Sequence, residues 1–255
     1  MTKRTFLCIK WGNKYGYEYV NRLFNGVDNN MENDFRFVCL TDNKKGIDKR
    51  VEIYPLPDTG FDENKFDSIK GGETWRKVGL FKPDITDLDD DDVIFLDLDV
   101  VITGKLDDLF EYEKGKFVVI QDWLEKRRSK FMLWRDGRVG NTSVFRFNPK
   151  KHSKVFEHFS KNTQWALNNF RIEQQYVSWV LRNDTVFWKP QWICSFKRNC
   201  CYLFPLNLLL TPKKPSDMRI LVFHGYPLPE QAITGYKTNI FKSSKPCKWL
   251  SKYWK

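Results

Sequence analysis

The sequence predicts an α/β fold with a Rossmann-like, mostly parallel central sheet flanked by helices. Three observations predict it. Short apolar runs alternate with segments of helical period through the first half of the chain. The first run, Phe6-Leu7-Cys8-Ile9, opens into a polar, glycine-bearing loop from Trp11 to Gly16. The run Val93-Ile94-Phe95-Leu96 is apolar at every position, the pattern of a strand covered on both faces, and it ends in Asp97-Leu98-Asp99.

Taken in order, residues 6–9 read as a first strand and 18–25 as a helix with Tyr19, Val20, Leu23 and Phe24 on one face. Residues 35–40 form a second strand that ends at Thr41-Asp42. Residues 51–54 form a short third strand, stopped by Pro55 and Pro57. Gly71-Gly72 interrupts the chain before a helix predicted over 74–81, which Pro83 closes. The nearly all-acid run 87–92 reads as a solvated turn ahead of strand 93–96. A further strand over 117–120 ends at Gln121-Asp122-Trp123. In the less regular second half, 142–147 alternates as a strand, and 152–159 and 173–181 read as helices. Residues 186–188, 192–196 and 220–223 read as strands. No repeat or low-complexity linker divides the chain, and a boundary near Lys130 would separate lobes of one fold. The expected organisation is a single domain over 1–236 and a basic, aromatic tail over 237–255.

With 255 residues, 41% hydrophobic and 29% charged, the chain can bury an ordinary core. Its net charge of +11 admits nucleic acid, anionic membrane or phosphorylated small molecules as partners. Aromatic residues reach 16%; most are expected in the core, some free to stack on bases or sugars. The six cysteines are Cys8, Cys39, Cys194, Cys200, Cys201 and Cys247; none has C-x-x-C spacing, so no zinc site is indicated and a reducing compartment fits. The apolar run 6–9 is cut by Lys10, far short of a secretory leader. The most apolar stretch, 201–210, is too short to span a membrane and is broken by Pro205 and Asn207. A cytoplasmic protein, at most peripheral on the inner face of a membrane, is expected.

The chemistry centres on Asp97 and Asp99. Side chains of a strand alternate faces, so acids at i and i+2 point the same way, with Cα atoms roughly 6–7 Å apart. Both carboxylates can then reach one divalent ion. Open α/β sheets bind ligands beyond the carboxyl ends of such strands. His224, after the apolar run 220–223 and before Gly225, is the candidate third ligand; a structural histidine is the competing reading. Two carboxylates and an imidazole suit Mn²⁺ or Mg²⁺, whose remaining positions diphosphate oxygens would fill.

Two other classes compete. Asp97-Leu98-Asp99-Val100-Val101 also fits the first motif of haloacid dehalogenase-type phosphatases. That chemistry needs a later strand ending in paired acids, and Glu125, Asp136, Glu157, Glu173, Asp184, Asp217 and Glu230 are scattered instead. A nucleic-acid-binding module would explain the charge, but the lysines are spread along the chain and no motif of that class occurs.

An ordered set of segments resembles a family of small bacterial and viral glycosyltransferases of the family 8 type. The segments run from Cys8 to Gly16, then Tyr19-Val20-Asn21, Phe37 to Asp42, Trp75 to Pro83, and Phe95 to Ile102. Leu106-Asp107-Asp108-Leu109-Phe110 and Phe223-His224-Gly225 complete the set, and the resemblance spans about residues 5 to 230. It implies a GT-A fold with a smaller acceptor-side lobe, a metal-bound nucleotide sugar (a uridine diphosphate sugar is the expected donor), and usually retention of anomeric configuration. It implies that Lys10, Trp11 and Tyr15 touch the nucleotide, that Asp42 approaches the nucleoside, and that Lys77 or Arg76 meets the donor. Asp97, Asp99 and His224 would hold the metal, with Leu98 and Gly225 beside them against the nucleotide sugar. Asn141, Thr142 and Ser143 would line the sugar site, with Asp122, Glu173 and Gln174 as catalytic candidates and Lys197 facing a phosphate. For each basic residue, a solvated helix face is the competing reading.

The chain departs from the family pattern twice. Glu173 stands where an aspartate is usual, and its extra methylene moves the carboxylate. Leu228 stands where a lysine commonly holds the departing diphosphate, a role left to Lys197 or Lys237. The tail over 237–255 holds six lysines, no acids, and Phe241, Trp249, Tyr253 and Trp254. It suits an anionic membrane surface, at about 1 kcal/mol per lysine; a poorly ordered solvated tail is the alternative. A membrane surface fits a lipid-linked acceptor, as in lipopolysaccharide or capsule assembly.

Overall fold

Phe6, Leu7, Cys8 and Ile9 are all buried because the strand that carries them has a neighbour on each edge and packed layers on each face. The computed structural model describes residues 4–61, 71–83, 85, 92–124 and 139–255. The strands of its main sheet are β1 (Arg4–Lys10), β2 (Phe35–Thr41), β3 (Glu52–Tyr54), β4 (Val93–Leu96), β6 (Phe117–Gln121), β7 (Gly140–Phe147) and β8 (Thr185–Phe187), in the order β3-β2-β1-β4-β7-β6-β8. All run parallel except β7, which pairs antiparallel with both β4 and β6.

Period-two alternation sorts the side chains of β1 and β4 between two layers. Phe6, Cys8, Ile94 and Leu96 face helix α1 (Tyr17–Asp28) and its Val20, Leu23, Phe24 and Val27. Leu7, Ile9, Val93 and Phe95 face the opposite layer, which includes residues 72–81 and helices α3 (Lys154–Lys161) and α5 (Glu173–Val180). A second sheet, β5-β10-β9, is built from Val100–Ile102, Ile220–Val222 and Ile193–Ser195. It carries a third apolar cluster with Phe196, Phe223, Leu250 and Trp254.

The helix predicted over 74–81 is a 3-10 helix, Gly72–Phe81. Trp75, Val78 and Phe81 recur every third residue, and a turn of three residues aligns all three rings and branches on the sheet. Gly71, at φ 79°, makes the left-handed entry that a side chain would resist. The helix expected at 152–159 starts later, at Lys154, because the His152 ring accepts the Asn148 N–H (2.9 Å) and closes a turn there. Short helices α2 (Asp107–Glu111), α4 (Thr163–Asn169) and α6 (Pro229–Thr234), and the hairpin β11 (Tyr236–Asn239) and β12 (Lys242–Ser244), complete the fold.

The segment after residue 236 is folded onto the rest. Cys247 and Leu250 are fully buried, and the Cys247 N–H donates to Ala232 O (2.9 Å). The Trp254 ring packs on Tyr19 (5.3 Å), and Trp249 Nε1 donates to Pro212 O (2.9 Å). The alternative of a loose solvated tail is therefore excluded, and of its aromatic rings only Phe241 stands out in solvent. The acid run 87–91, Glu125, Asp136 and the boundary near Lys130 lie outside the described residues.

Arg146 is the one basic side chain of β7, and it is fully buried. Its Nη1 donates to Leu109 O (2.8 Å) and Phe110 O (3.0 Å), and its Nη2 to Glu113 O. These are carbonyls at and just past the C-terminal end of α2, where a helix leaves acceptors without partners and a cation is favoured. Arg146→Met should strand all three and lower stability by about 3 kcal/mol. Urea unfolding should show a lower midpoint at unchanged slope.

Candidate functional site

Beyond Leu96 the chain leaves the main sheet. Asp97 N–H still donates to Ser143 O (2.8 Å), but Val100 N–H returns to Asp97 O (3.4 Å), closing a turn that delivers the chain into β5 of the second sheet. Asp97 and Asp99 do share one cleft, as their spacing predicts. They do so across a turn and not along a continuing strand, because Leu98 must bury in the α1 layer and Val100 must begin β5.

The cleft, about 250 Å³, sits where β1 and β4 end. Lys77, from the 3-10 helix, reaches it from below: its Nζ lies 2.7 Å from Asp97 Oδ1 and donates to Thr142 O (3.2 Å). Glu173, the first residue of α5 and 1% exposed, accepts from Thr142 Oγ1. Tyr15, in the loop after β1, donates to Asp99 Oδ2 (3.1 Å). Burial, and then neighbouring Asp97, push the Asp99 carboxyl up to about 7. Burial likewise raises Glu173, against the pull of Lys77. Burial opposes the charge on Lys77, yet Asp97, Glu173 and Asp99 outweigh it and hold its pKa above the usual value.

Three carboxylates thus face one ammonium. Fully ionised, the group carries two uncompensated negative charges in a desolvated place, which is costly unless a cation shares it. The donor set fits a divalent ion on Asp97 and Asp99. His224 lines the same cleft, but its Nε2 lies 2.7 Å from Ser195 Oγ and its ring stacks on Trp123 (5.4 Å, 26°). Burial, then Lys197 and Arg198, lower its pKa to about 4, which keeps the imidazole neutral. Among the described residues, no three histidine, cysteine, aspartate or glutamate side chains are grouped closely enough to hold one metal ion. The aspartates are therefore the two protein donors this arrangement brings together, with His224 beside them.

Of the other predicted residues, Trp11, Leu98, Ser143, Gln174 and Gly225 line the cleft. A second cavity of about 360 Å³ adjoins it, sharing Trp11, Lys14 and Glu73, and is lined further by Asp42 and Arg76. The Arg76 guanidinium lies 5.9 Å from the Trp11 ring centre. Asp42 accepts the N–H of Gly12 (3.0 Å), a residue at φ 56°. Lys10 is buried and faces Asp42 (4.0 Å), so it supports this second cavity and does not line the first.

Asp122 and Asn141 stand behind the cleft wall. Asp122 Oδ2 lies 3.5 Å from Gln174 Nε2, and Asn141 Oδ1 accepts the Ser143 N–H (3.1 Å). Lys197 Nζ donates to His224 O (2.6 Å) and lies beside His224-Gly225; Leu228 instead is the extended residue that precedes α6, and Lys237 lies on exposed β11. Sequence reasoning missed the Lys14–Glu73 ion pair (3.3 Å) at the rim, and the lining residues Thr74, Ile172 and Phe223. Lys14 and Thr74 lay inside segments already singled out, but nothing in their spacing points them into a cleft.

The architecture is the GT-A fold of solved glycosyltransferases. The galactosyltransferase LgtC, in complex with donor and acceptor sugar analogs, superposes with a TM-score of 0.63 at 14% identity, over 88% of each chain. GlyE of Streptococcus pneumoniae gives 0.61 at 16% identity, over 98% of this chain and 60% of GlyE. Mouse xyloside xylosyltransferase 1 gives 0.51 at 10% identity, over 78% of this chain and 89% of that one. No protein-family model matches the sequence, and no curated protein matches it.

Lys77→Met should leave the three carboxylates without their ammonium and lower stability by about 3–5 kcal/mol. Thermal unfolding should recover part of that loss on addition of Mn²⁺, which supplies positive charge at the same place. Absence of recovery would contradict the charge imbalance.

Proposed function

We propose that this chain is a metal-dependent glycosyltransferase that moves a sugar from a nucleotide-sugar donor to a glycan or lipid-linked acceptor of the surface-polysaccharide kind. The observation that carries the proposal is the pair of aspartates, held with one lysine too few, at the carboxyl edge of a largely parallel sheet. An ion on Asp97 and Asp99 would neutralise charge building on a departing diphosphate. The adjoining cavities suit an elongated ligand, with nucleoside between Trp11 and Asp42 and sugar between Thr142 and Gln174.

In this reading Lys77 holds Asp97 in place, and Glu173, sequestered by Thr142, holds Lys77. Glu173 is thus a positioning residue. Gln174, backed by Asp122, offers its amide to the sugar. No ionised carboxylate of the cleft is free of a partner to act as nucleophile, which favours acceptor attack on the face the diphosphate leaves, with retention. Lys197 then meets the released diphosphate beside Gly225. The phosphatase alternative gains no support, since the solved structures that share this fold are glycosyltransferases. No helix among them is long and apolar enough to cross a membrane.

Calorimetry should detect uridine diphosphate binding only with Mn²⁺ or Mg²⁺ present, and Asp99→Ala should weaken that binding at least about tenfold. Unchanged metal-dependent binding by the variant would remove the metal assignment. Gln174→Ala should lower kcat by roughly 100-fold with little change in the donor KM, because its contact is made at the reacting sugar.

A further inference from the structure

Of the twelve large apolar side chains exposed among the described residues, seven fall on two adjoining loops. One loop follows Cys201 and carries Leu203, Leu206 and Leu209; the other is the turn of the β11–β12 hairpin, with Ile240 and Phe241. Leu203 is 88% exposed, Leu209 73% and Phe241 68%. The loops are fastened to each other. Phe204 and Phe241 meet edge to face at 5.0 Å, and the buried Asn207 donates from Nδ2 to Ile240 O (2.8 Å) and Ser243 Oγ (2.8 Å). Monomeric proteins rarely hold so many bare aliphatic side chains together without a partner.

Charge identifies the partner. Residues 185–216 and 231–255, the stretches that contain both loops, hold no aspartate or glutamate. They carry five and six lysines and arginines, which together equal the entire excess of +11; the rest of the chain is balanced. Lys213, Lys237 and Lys242 are exposed on or next to the two loops. Bare leucine and phenylalanine tips among lysines, with no acid in either segment, match a bilayer's apolar interior behind an anionic headgroup layer. Nucleic acid would meet the charge but leave the leucines in water, and a second copy of this chain would bring like charge against like.

We propose that the 201–212 loop and the β11–β12 hairpin form a membrane-docking face that inserts Leu203, Leu209 and Phe241 into an anionic phospholipid surface. The cleft lies close by. Lys242 is near enough to lower the pKa of Lys197, and Lys197 binds the backbone of His224 at the cleft wall. Docking would therefore bring the cleft to the lipid surface. Of the aromatic rings expected to do this from sequence, Trp249, Tyr253 and Trp254 are committed to packing, and Phe241 stays exposed beside the aliphatic tips upstream.

The test is flotation of the full chain with vesicles of phosphatidylcholine alone or with one quarter phosphatidylglycerol. It involves no donor or metal, so it succeeds or fails separately from the proposed transfer reaction. The wild type should float at least tenfold more with the anionic vesicles, and less as salt is raised. The triple variant Leu203→Ser, Leu209→Ser, Phe241→Ser should lose most of this binding, and so should Lys213→Glu, Lys237→Glu, Lys242→Glu, each with an unchanged melting temperature. Flotation equal to wild type in both variants would overturn the proposal. So would a wild-type dimer, in sedimentation equilibrium, that the serine variant converts to monomer while flotation stays the same.

Discussion

The ammonium of Lys77 is the point on which the site is assembled. It joins the 3-10 helix that carries it to the end of β4 through Asp97, to β7 through Thr142 O, and by charge to Glu173 at the start of α5. Each of these elements is fixed elsewhere by apolar packing: Trp75 and Phe81, Phe95, Phe145 and Tyr176 all meet in one layer. The layer brings the polar ends to one place, and a single positive charge keeps three carboxylates from driving it apart. In the proposed reading, the surplus negative charge is what would draw a cation into the cleft and, through the cation, phosphate.

Much of the sheet was legible because a buried strand has few alternatives. The runs at Phe6, Phe37, Ile94 and Val118 are apolar at consecutive positions, and both faces of each are indeed covered. The 3-10 helix was legible only as helix, although the spacing of Trp75, Val78 and Phe81 already carried its period of three. The acid pair was legible as two carboxylates sharing one cleft, yet the turn that brings them there was not. Whether a strand continues or turns after Leu96 depends on β10, more than a hundred residues later, which offers Val100 a partner in another sheet.

Single residues were harder to read than elements. Lys10 looks like a free cation in a loop, and the fold buries it against Asp42. Arg146 sits in a strand that alternates acceptably without it, and its partners are carbonyls of a helix that the sequence barely marks. His224 was found by its place at a strand end, but only packing shows its Nε2 beside Ser195. The basic, aromatic C-terminal stretch was read as one kind of surface; packing divides it into buried tryptophans and an exposed hairpin tip.

The turn at Leu98 is also a splice between the two sheets. Three residues separate the last pairing of β4, with β7, from the first pairing of β5, with β10. A ligand that grips Asp97 and Asp99 therefore holds both sheets at their common covalent joint. Its free energy of binding is shared by two packing units, so occupancy should couple their local opening and slow amide exchange in β5 and β10 as well as in β4. The same few atoms that would seat a ligand are thereby the seam along which the molecule would become mechanically one.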